Sequence, residues 1–180
     1  HDDILSGEGN MQSLTPIVRH ITAVIFGLTV SILLLGGCAD EKSSIKVGFV
    51  GSLTGRTSDL GISARDGVIL AVEELNAAGG IHGCPIQLLT RDDQQDPETA
   101  LKVDQDLIDQ GVVAIIGHLT SQMSVVAVPL INASRILMLS PTTSTSRLSG
   151  QNDYFVRVIV SAAEAVRNLA QYARHHLGLE

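Results

Sequence analysis

From Ile45 onward, the chain alternates short apolar segments with segments of helical periodicity, and this alternation constrains the fold more than any other feature. The apolar segments are IKVGFVGSL, PIQLLTRDD, VVAIIG, RILMLS and YFVRVIV. Strands that alternate with helices pair in parallel through right-handed crossovers, which place helices on both faces of the sheet. The sequence therefore predicts an α/β fold, a doubly wound parallel sheet of at least four strands.

Two of the helical segments carry clear signals for their ends. The segment SARDGVILAVEELNAAGG ends at Gly79 and Gly80, which are typical of a helix C-cap. The segment DPETALKVDQDLIDQG begins with Asp96 as N-cap and Pro97 at the first helical position. Helical periodicity directs one face of each segment at the core. The predicted core residues are Ala64, Val68, Ala71, Val72 and Leu75 in the first, and Ala100, Val103 and Leu107 in the second.

The N-terminal part of the chain has a different composition from the rest. Met11 opens a short segment with one arginine and one histidine, and an apolar run without charges then extends to small residues before Cys38. This order is typical of a secretory signal, although an apolar run of about 20 residues could also remain as a membrane anchor. We interpret residues 1–10 as a non-native or upstream extension, 11–37 as the signal, 38–44 as the mature N-terminus and linker, and 45–180 as the folded domain.

The sequence contains two cysteines with different surroundings. The segment LGGC, which ends at Cys38, resembles the bacterial lipobox, and this implies cleavage before Cys38 and attachment of diacylglycerol to its thiol. Two or more acyl chains make a stable membrane anchor, whereas a single chain binds only marginally. Cys84 is then the remaining thiol, so no intramolecular disulfide is expected, and we interpret it as a half-buried structural residue.

The formal net charge of -7 is not accompanied by any run of lysine and arginine. Nucleic-acid binding depends on a basic surface that contacts the phosphates. We therefore expect no nucleic acid among the partners of this chain.

In doubly wound sheets, ligands bind beyond the carboxyl ends of the strands. This rule selects four loops, namely Ser52–Leu60, Asp92–Asp96, Leu119–Gln122 and Pro141–Ser146. Most of these loops are rich in hydroxyl groups and glycine, and they place no histidine or lysine for catalysis. The loops therefore favour binding over chemistry.

The sequences of these loops do not match the patterns of catalytic or cofactor-binding sites. The glycines of GFVGSLTG have neither the dinucleotide-binding spacing nor the P-loop ending. Ser121 lies on a strand-to-helix turn, as a hydrolase nucleophile would, but it lacks the flanking glycines of a nucleophile elbow and an identified acid. We interpret His118 as a structural residue at the strand end, and the pair His175-His176 has no matching metal ligands. We expect no cofactor, no metal and no enzymatic activity, with a serine hydrolase acting through Ser121 as a less favoured alternative.

A helix that begins at Thr120 or Ser121 offers a different kind of site. Its first backbone N–H groups lack intrahelical partners and carry a partial positive charge, which favours a carboxylate. Hydroxyl groups of Ser121 and of the segment PTTSTS could then orient a small zwitterion or amide. Taken singly, the same hydroxyl groups are also typical of N-caps and turns.

Five segments, in their order and spacing, closely resemble the branched-chain amino-acid binding proteins of ABC importers: IKVGFVGSLTG, AVEELNAAGGIHG, RDDQQDPETA, IIGHLTSQ and ILMLSPTTSTSRLS. The resemblance runs from Ile45 to about Glu180 and implies a lobe of the type I periplasmic binding fold. It implies an amino acid or small amide as ligand, ABC permease subunits as partners, and a periplasmic or cell-surface location with the lipid on Cys38 as anchor. A ligand-sensing domain of a signalling system is the alternative, because the same fold serves both roles.

The resemblance also assigns ligand contacts. It implies that Ser121 and the adjacent backbone bind the α-carboxylate of the ligand. Thr142 and Ser144 would hold the carboxylate and the ammonium through backbone and hydroxyl groups. Leu119 and Thr120 match further positions that line the pocket.

Two features depart from the family pattern. Leu60 matches a position at which leucine-binding members carry a tyrosine, so the identity of the substrate stays open. Family members are also considerably longer and close a second lobe around the ligand, with an acidic residue of that lobe pairing the ammonium. The chain therefore resembles the N-terminal lobe only, and we expect it to bind amino acids weakly by itself.

Overall fold

The structure, a computed structural model, describes residues 43–178. Strands and helices alternate along this range: β1 (Ile45–Gly51), α1 (Ser58–Ala77), β2 (Ile86–Asp92), α2 (Pro97–Asp109), β3 (Ala114–Ile116), α3 (Ser121–Ser134), β4 (Leu137–Ser140), β5 (Phe155–Arg157) and α4 (Ala162–His176), with a 3-10 turn at Ser146–Leu148. The predicted extension, signal and lipidation site at Cys38 lie outside the described residues. Within residues 43–178, we find no helix with the length and apolar character needed to cross a membrane.

The strands form one parallel sheet in the order β2-β1-β3-β4-β5. Helices α2 and α3 pack against each other, whereas α1 contacts β1 and β2. Right-handed crossovers place α1 on the opposite face of the sheet from α2 and α3, because the chain moves from β1 to β2 in one direction and from β2 to β3 in the other. The predicted doubly wound α/β fold is confirmed.

The core lies mainly on the face of the sheet that α2 and α3 cover. It consists of Val50, Leu107, Val112, Ile115, Ala127, Val128, Ile131, Met138 and Phe155. Full burial of one such apolar side chain contributes about 1.5 to 3 kcal/mol. This face therefore supplies most of the hydrophobic stabilisation of the domain.

The apolar face predicted for the first helix is only partly buried. Ala71 and Leu75 are exposed, and Gly61 is the one buried position that α1 provides. In α2, by contrast, Ala100 and Leu107 are fully buried, and Val103 is half-buried. The difference arises because α2 packs against both the sheet and α3, whereas the main contacts of α1 are with β1 and β2.

All five strands are shorter than their apolar segments, and the limits of β4 and β5 have identifiable causes. The segment YFVRVIV is a strand only over Phe155–Arg157, because β5 pairs with β4 over three residues. The segment RILMLS forms a strand only from Leu137, because Arg135 takes a left-handed conformation with φ 56° and ends helix α3. The apolar segments therefore predicted the strands, whereas the limits of the strands depend on pairing with a neighbour and on where the preceding helix ends.

Candidate functional site

The four loops selected from the sequence lie at the same edge of the sheet. Strands β1, β2, β3 and β4 are parallel and end at Gly51, Asp92, Ile116 and Ser140. The strand order changes direction between β1 and β3, and the turn that follows β3 contains Leu119–Ser121. Ligands of doubly wound sheets bind at such a switch point.

Helix α3 begins at Ser121, as predicted, and Thr120 is its N-cap in an extended conformation. The Thr120 side chain makes no capping hydrogen bond to the helix. Its hydroxyl oxygen instead accepts a hydrogen bond from Gln95 Nε2 at 3.2 Å. The first turn of α3 therefore has no side-chain cap at Thr120, and its partial positive charge can attract an anion.

The loop after β4 is hydrogen-bonded to the turn before α3. Thr142 Oγ1 donates to the carbonyl oxygen of Leu119 at 2.5 Å. The backbone N–H of Thr145 donates to Ser121 Oγ at 3.3 Å. These two hydrogen bonds join the loop that contains Thr142 and Thr145 to the turn that contains Leu119 and Ser121.

The remaining predicted residues are less directly linked to this turn. The Leu119 side chain is only 3% exposed and packs beside Gly51, so a ligand could reach only its backbone. The Ser144 carbonyl accepts a hydrogen bond from Ala162 N at 2.7 Å, which ties this loop to the start of α4. Leu60 lies in the first turn of α1 and is 40% exposed. Their contact with a ligand stays a prediction.

A cleft of about 320 Å³ opens beside the start of α3. Its lining residues are Ser121, Gln122, Val125, Val126, Thr145 and Arg147. A larger cavity of about 490 Å³ lies between the 3-10 turn, β5 and α4, but none of the predicted ligand-binding residues lines it. The smaller cleft is the relevant one because it adjoins Ser121 and the helix N-terminus.

His118 immediately precedes the turn and is fully buried between two buried aspartates. Its Nδ1 lies 2.7 Å from Asp93 Oδ2 and its Nε2 lies 3.1 Å from Asp104 Oδ2. Burial alone would lower the pKa of His118, but the hydrogen bonds and charges of Asp104 and Asp93 raise this pKa to about 9. The ring is therefore protonated at neutral pH, and both of its N–H groups donate. The predicted structural role of His118 at the strand end is confirmed.

Three hydroxyl groups converge on the carbonyl oxygen of His118. Ser140 Oγ donates to it at 2.6 Å, and Ser124 Oγ and Thr143 Oγ1 lie 3.2 Å and 3.3 Å from it. The hydroxyl oxygens of Ser124 and Thr143 also lie 2.6 Å apart, so one of these groups donates to the other. The preceding residue must be glycine, because a Cβ at Gly117 would lie 2.1 Å from the carbonyl oxygen of Val50 and the φ angle is 137°. The backbone before the turn is therefore closely confined.

Sequence reasoning missed the partners of His118. Asp104 lies on the buried face of α2 between Ala100 and Leu107. A carboxylate at a core position requires a partner, so this break in the apolar pattern was the signal that could have identified it. Asp93 carried no comparable signal, since it lies in a polar loop.

Three further residues with reactive side chains are Cys84, His175 and His176. Cys84 is a free, half-buried thiol, as predicted. His175 and His176 are exposed at the end of α4. Among residues 43–178, no group of three or more histidine, cysteine, aspartate or glutamate side chains is arranged to hold a metal ion.

Comparisons with known proteins agree with this architecture. Residues 44–180 match the family described as periplasmic binding protein. The Leu/Ile/Val-binding protein of Escherichia coli (strain K12) is 33% identical over 125 residues, which cover 66% of this chain and 34% of that protein. The leucine-specific-binding protein of Salmonella typhimurium is 29% identical over 138 residues, which cover 77% of this chain and 37% of that protein.

A solved structure gives the same result for the fold. The branched-chain amino acid transporter substrate binding protein from Streptococcus pneumoniae, in complex with isoleucine, matches with a TM-score of 0.68 at 28% identity. The match covers 76% of this chain and 39% of that protein, so the chain spans less than two fifths of the length of these relatives. Because the family match extends over residues 44–180, the chain belongs to the periplasmic binding protein family.

Proposed function

We propose that this protein is the substrate-binding lipoprotein of an ABC importer and that it binds a branched-chain amino acid or a related small amino acid or amide. The observation that carries this proposal is the start of α3 at Ser121, which has no side-chain cap at Thr120 and is tied to the hydroxyl-rich loop after β4. The helix N-terminus supplies donors for the α-carboxylate. The backbone N–H, backbone carbonyl and hydroxyl groups of Thr142 and Ser144 would supply further polar contacts for the carboxylate and the ammonium.

The relatives support this ligand class, because their names specify leucine, isoleucine and valine. They are binding proteins, which fits a non-enzymatic role. A hydrolase acting through Ser121 gains no support from the site. The nearby His118 is fully buried, and both of its ring nitrogens are engaged by Asp93 and Asp104, so it cannot accept a proton from a serine nucleophile.

Calorimetry of the 180-residue chain against leucine, isoleucine, valine and polar amino acids tests the proposal. We expect the branched-chain amino acids to bind and Ser121→Ala to weaken binding about two- to tenfold, because a hydrogen bond open to solvent contributes about 0.5 to 1.5 kcal/mol. Ser134→Ala, at the opposite end of the same helix, is the matched control. Absence of binding to every amino acid, or equal binding by Ser121→Ala, would contradict the proposal.

The lipid anchor and the transport role require separate tests. Labelling with radioactive palmitate in a bacterial host should modify the wild-type chain and Cys84→Ser but not Cys38→Ser. Labelling that survives Cys38→Ser would exclude this anchor. Genes for permease and ATPase subunits beside the gene of this protein would support an importer, whereas genes for a signalling partner would support the sensing alternative.

A further inference from the structure

Residues of several helices, strands and loops form hydrogen bonds with His118. Its ring contacts two carboxylates, Asp93 from the loop after β2 and Asp104 from α2. The elements packed around its carbonyl contribute neutral hydroxyl groups: Ser124 from α3, Ser140 from β4 and Thr143 from the loop after β4. The ring therefore faces two carboxylates, and the carbonyl faces three uncharged hydroxyl groups.

The same network extends into the turn at the candidate site. The Asp93 carboxylate accepts one hydrogen bond from His118 Nδ1 and another from the backbone N–H of Gln95 at 3.0 Å. Gln95 Nε2 in turn donates to Thr120 Oγ1. Asp93 is thus the point at which the buried ring is connected to the N-cap of α3.

We propose that His118 is a positioning residue for the turn Leu119–Ser121, and that the proton on its ring controls how firmly this turn and the N-terminus of α3 are held for a ligand carboxylate. The inference rests on the proposed function for the identity of the ligand. The coupling between the ring and the turn is a property of the chain itself and can be measured without a ligand.

Loss of the His118 ring proton would disturb the hydrogen bonds between the ring and the two carboxylates. A neutral imidazole has a single N–H donor, so one ring nitrogen would present a lone pair to a carboxylate. The carboxylate of Asp93 or Asp104 that faces this lone pair would then be repelled by it. A shift of the ring or of Asp93 would then move Gln95 and the Thr120 that it contacts.

Nuclear magnetic resonance on the 180-residue chain tests the coupling. The His118 ring carbon Cε1 and the methyl groups of Leu119 and Thr120 are followed from about pH 6 to about pH 10. We expect the methyl groups to shift with the same midpoint as the ring. If the methyl signals of the wild-type chain do not shift, or if they shift with another midpoint, the proposal is wrong, and no variant is needed to show it.

Asp104→Asn provides the decisive variant, because asparagine keeps the size of the side chain and an oxygen that can accept from Nε2. Loss of one opposite charge should lower the midpoints of the ring and of the turn together, by about 1 to 3 pH units. Asp109→Asn, an exposed carboxylate near the end of the same helix, is the matched control and should leave both midpoints in place. Asp93→Asn gives a second test if Asp104→Asn does not fold.

Leucine affinity measured over the same pH range connects the coupling to binding. Affinity should fall as the ring loses its proton, and the fall should occur at lower pH in Asp104→Asn. The ammonium of leucine also titrates at alkaline pH, but its midpoint is the same for every variant. A pH profile of affinity that does not change in Asp104→Asn would overturn the link to binding. If leucine binds at no pH, the proposed function fails, whereas the ring and methyl midpoints still decide the coupling.

Discussion

His118 should make the stability of the domain fall in the alkaline range. Its pKa is about 9 in the folded chain and about 6.5 when the histidine is exposed in the unfolded chain. Between these values the folded chain holds a proton that the unfolded chain has lost, so the free energy of unfolding decreases as the pH rises. The contribution is fully present below about pH 6.5 and is lost as the pH rises through about 9.

The magnitude follows from the difference between the two pKa values. They differ by about 2.5 pH units, and one unit corresponds to about 1.4 kcal/mol, which gives on the order of 3 kcal/mol. A domain of this kind has about 5 to 15 kcal/mol of total stability. The proton on His118 should therefore account for a measurable share of it.

Urea denaturation followed by far-ultraviolet circular dichroism measures this effect, because the chain contains no tryptophan to serve as a fluorescent probe. His118→Gln removes the titrating group, and subtracting its free energy of unfolding from the wild-type value cancels the titrating residues that do not contact His118. This difference should shrink by about 3 kcal/mol between about pH 6 and about pH 10. His175→Gln, at the exposed end of α4, is the control. A difference that stays constant across this range would show that the His118 proton does not stabilise the fold.

Two further pairs of variants test the packing by the same denaturation assay. Gly61→Ala should lower the free energy of unfolding by about 1 to 3 kcal/mol, because its Cβ would lie 1.8 Å from the carbonyl oxygen of Ser52. Gly67→Ala in the same helix should raise the free energy of unfolding by about 0.5 to 1 kcal/mol, because its Cβ would meet no atom within 4 Å. Met138→Ala should cost about 2 to 5 kcal/mol because Met138 is fully buried, whereas Leu137→Ala, 44% exposed on the same strand, should cost less than about 1 kcal/mol. Equal effects within either pair would contradict the assigned burial.

The sequence predicted the features that depend on local pattern. Alternating strands and helices, with the parallel pairing and crossover rules, were sufficient for the doubly wound sheet and for the edge at which the loops gather. Asp96 and Pro97 marked the start of α2, and the Asp96 carboxylate does accept the backbone N–H of Thr99 at 2.8 Å. Such signals work because they involve residues close together in the chain.

Features that depend on contacts between distant segments could not be predicted in this way. The partial exposure of Leu75 follows from which elements α1 contacts, and helical periodicity does not contain this information. The bonds from His118 to Asp93 and Asp104 join three segments, and only the unusual position of Asp104 on a buried helix face indicated them. The ligand-binding assignments of Ser121, Thr142 and Ser144 came from the family resemblance rather than from the local pattern of hydroxyl groups.

We expect the start of α3 to hold the carboxylate of an amino acid, and ligand-induced changes in backbone chemical shifts can locate this carboxylate. Hydrogen bonds open to solvent contribute only about 0.5 to 1.5 kcal/mol each, and association itself costs several kcal/mol or more. We therefore expect leucine to bind the 180-residue chain with a dissociation constant on the order of 1 mM. Leucine should shift the amide signals of Thr120, Ser121 and Gln122, whereas 3-methylbutylamine, which has no carboxylate, should leave them unchanged. Equal shifts with both compounds, or leucine-induced shifts confined to other residues, would contradict the account.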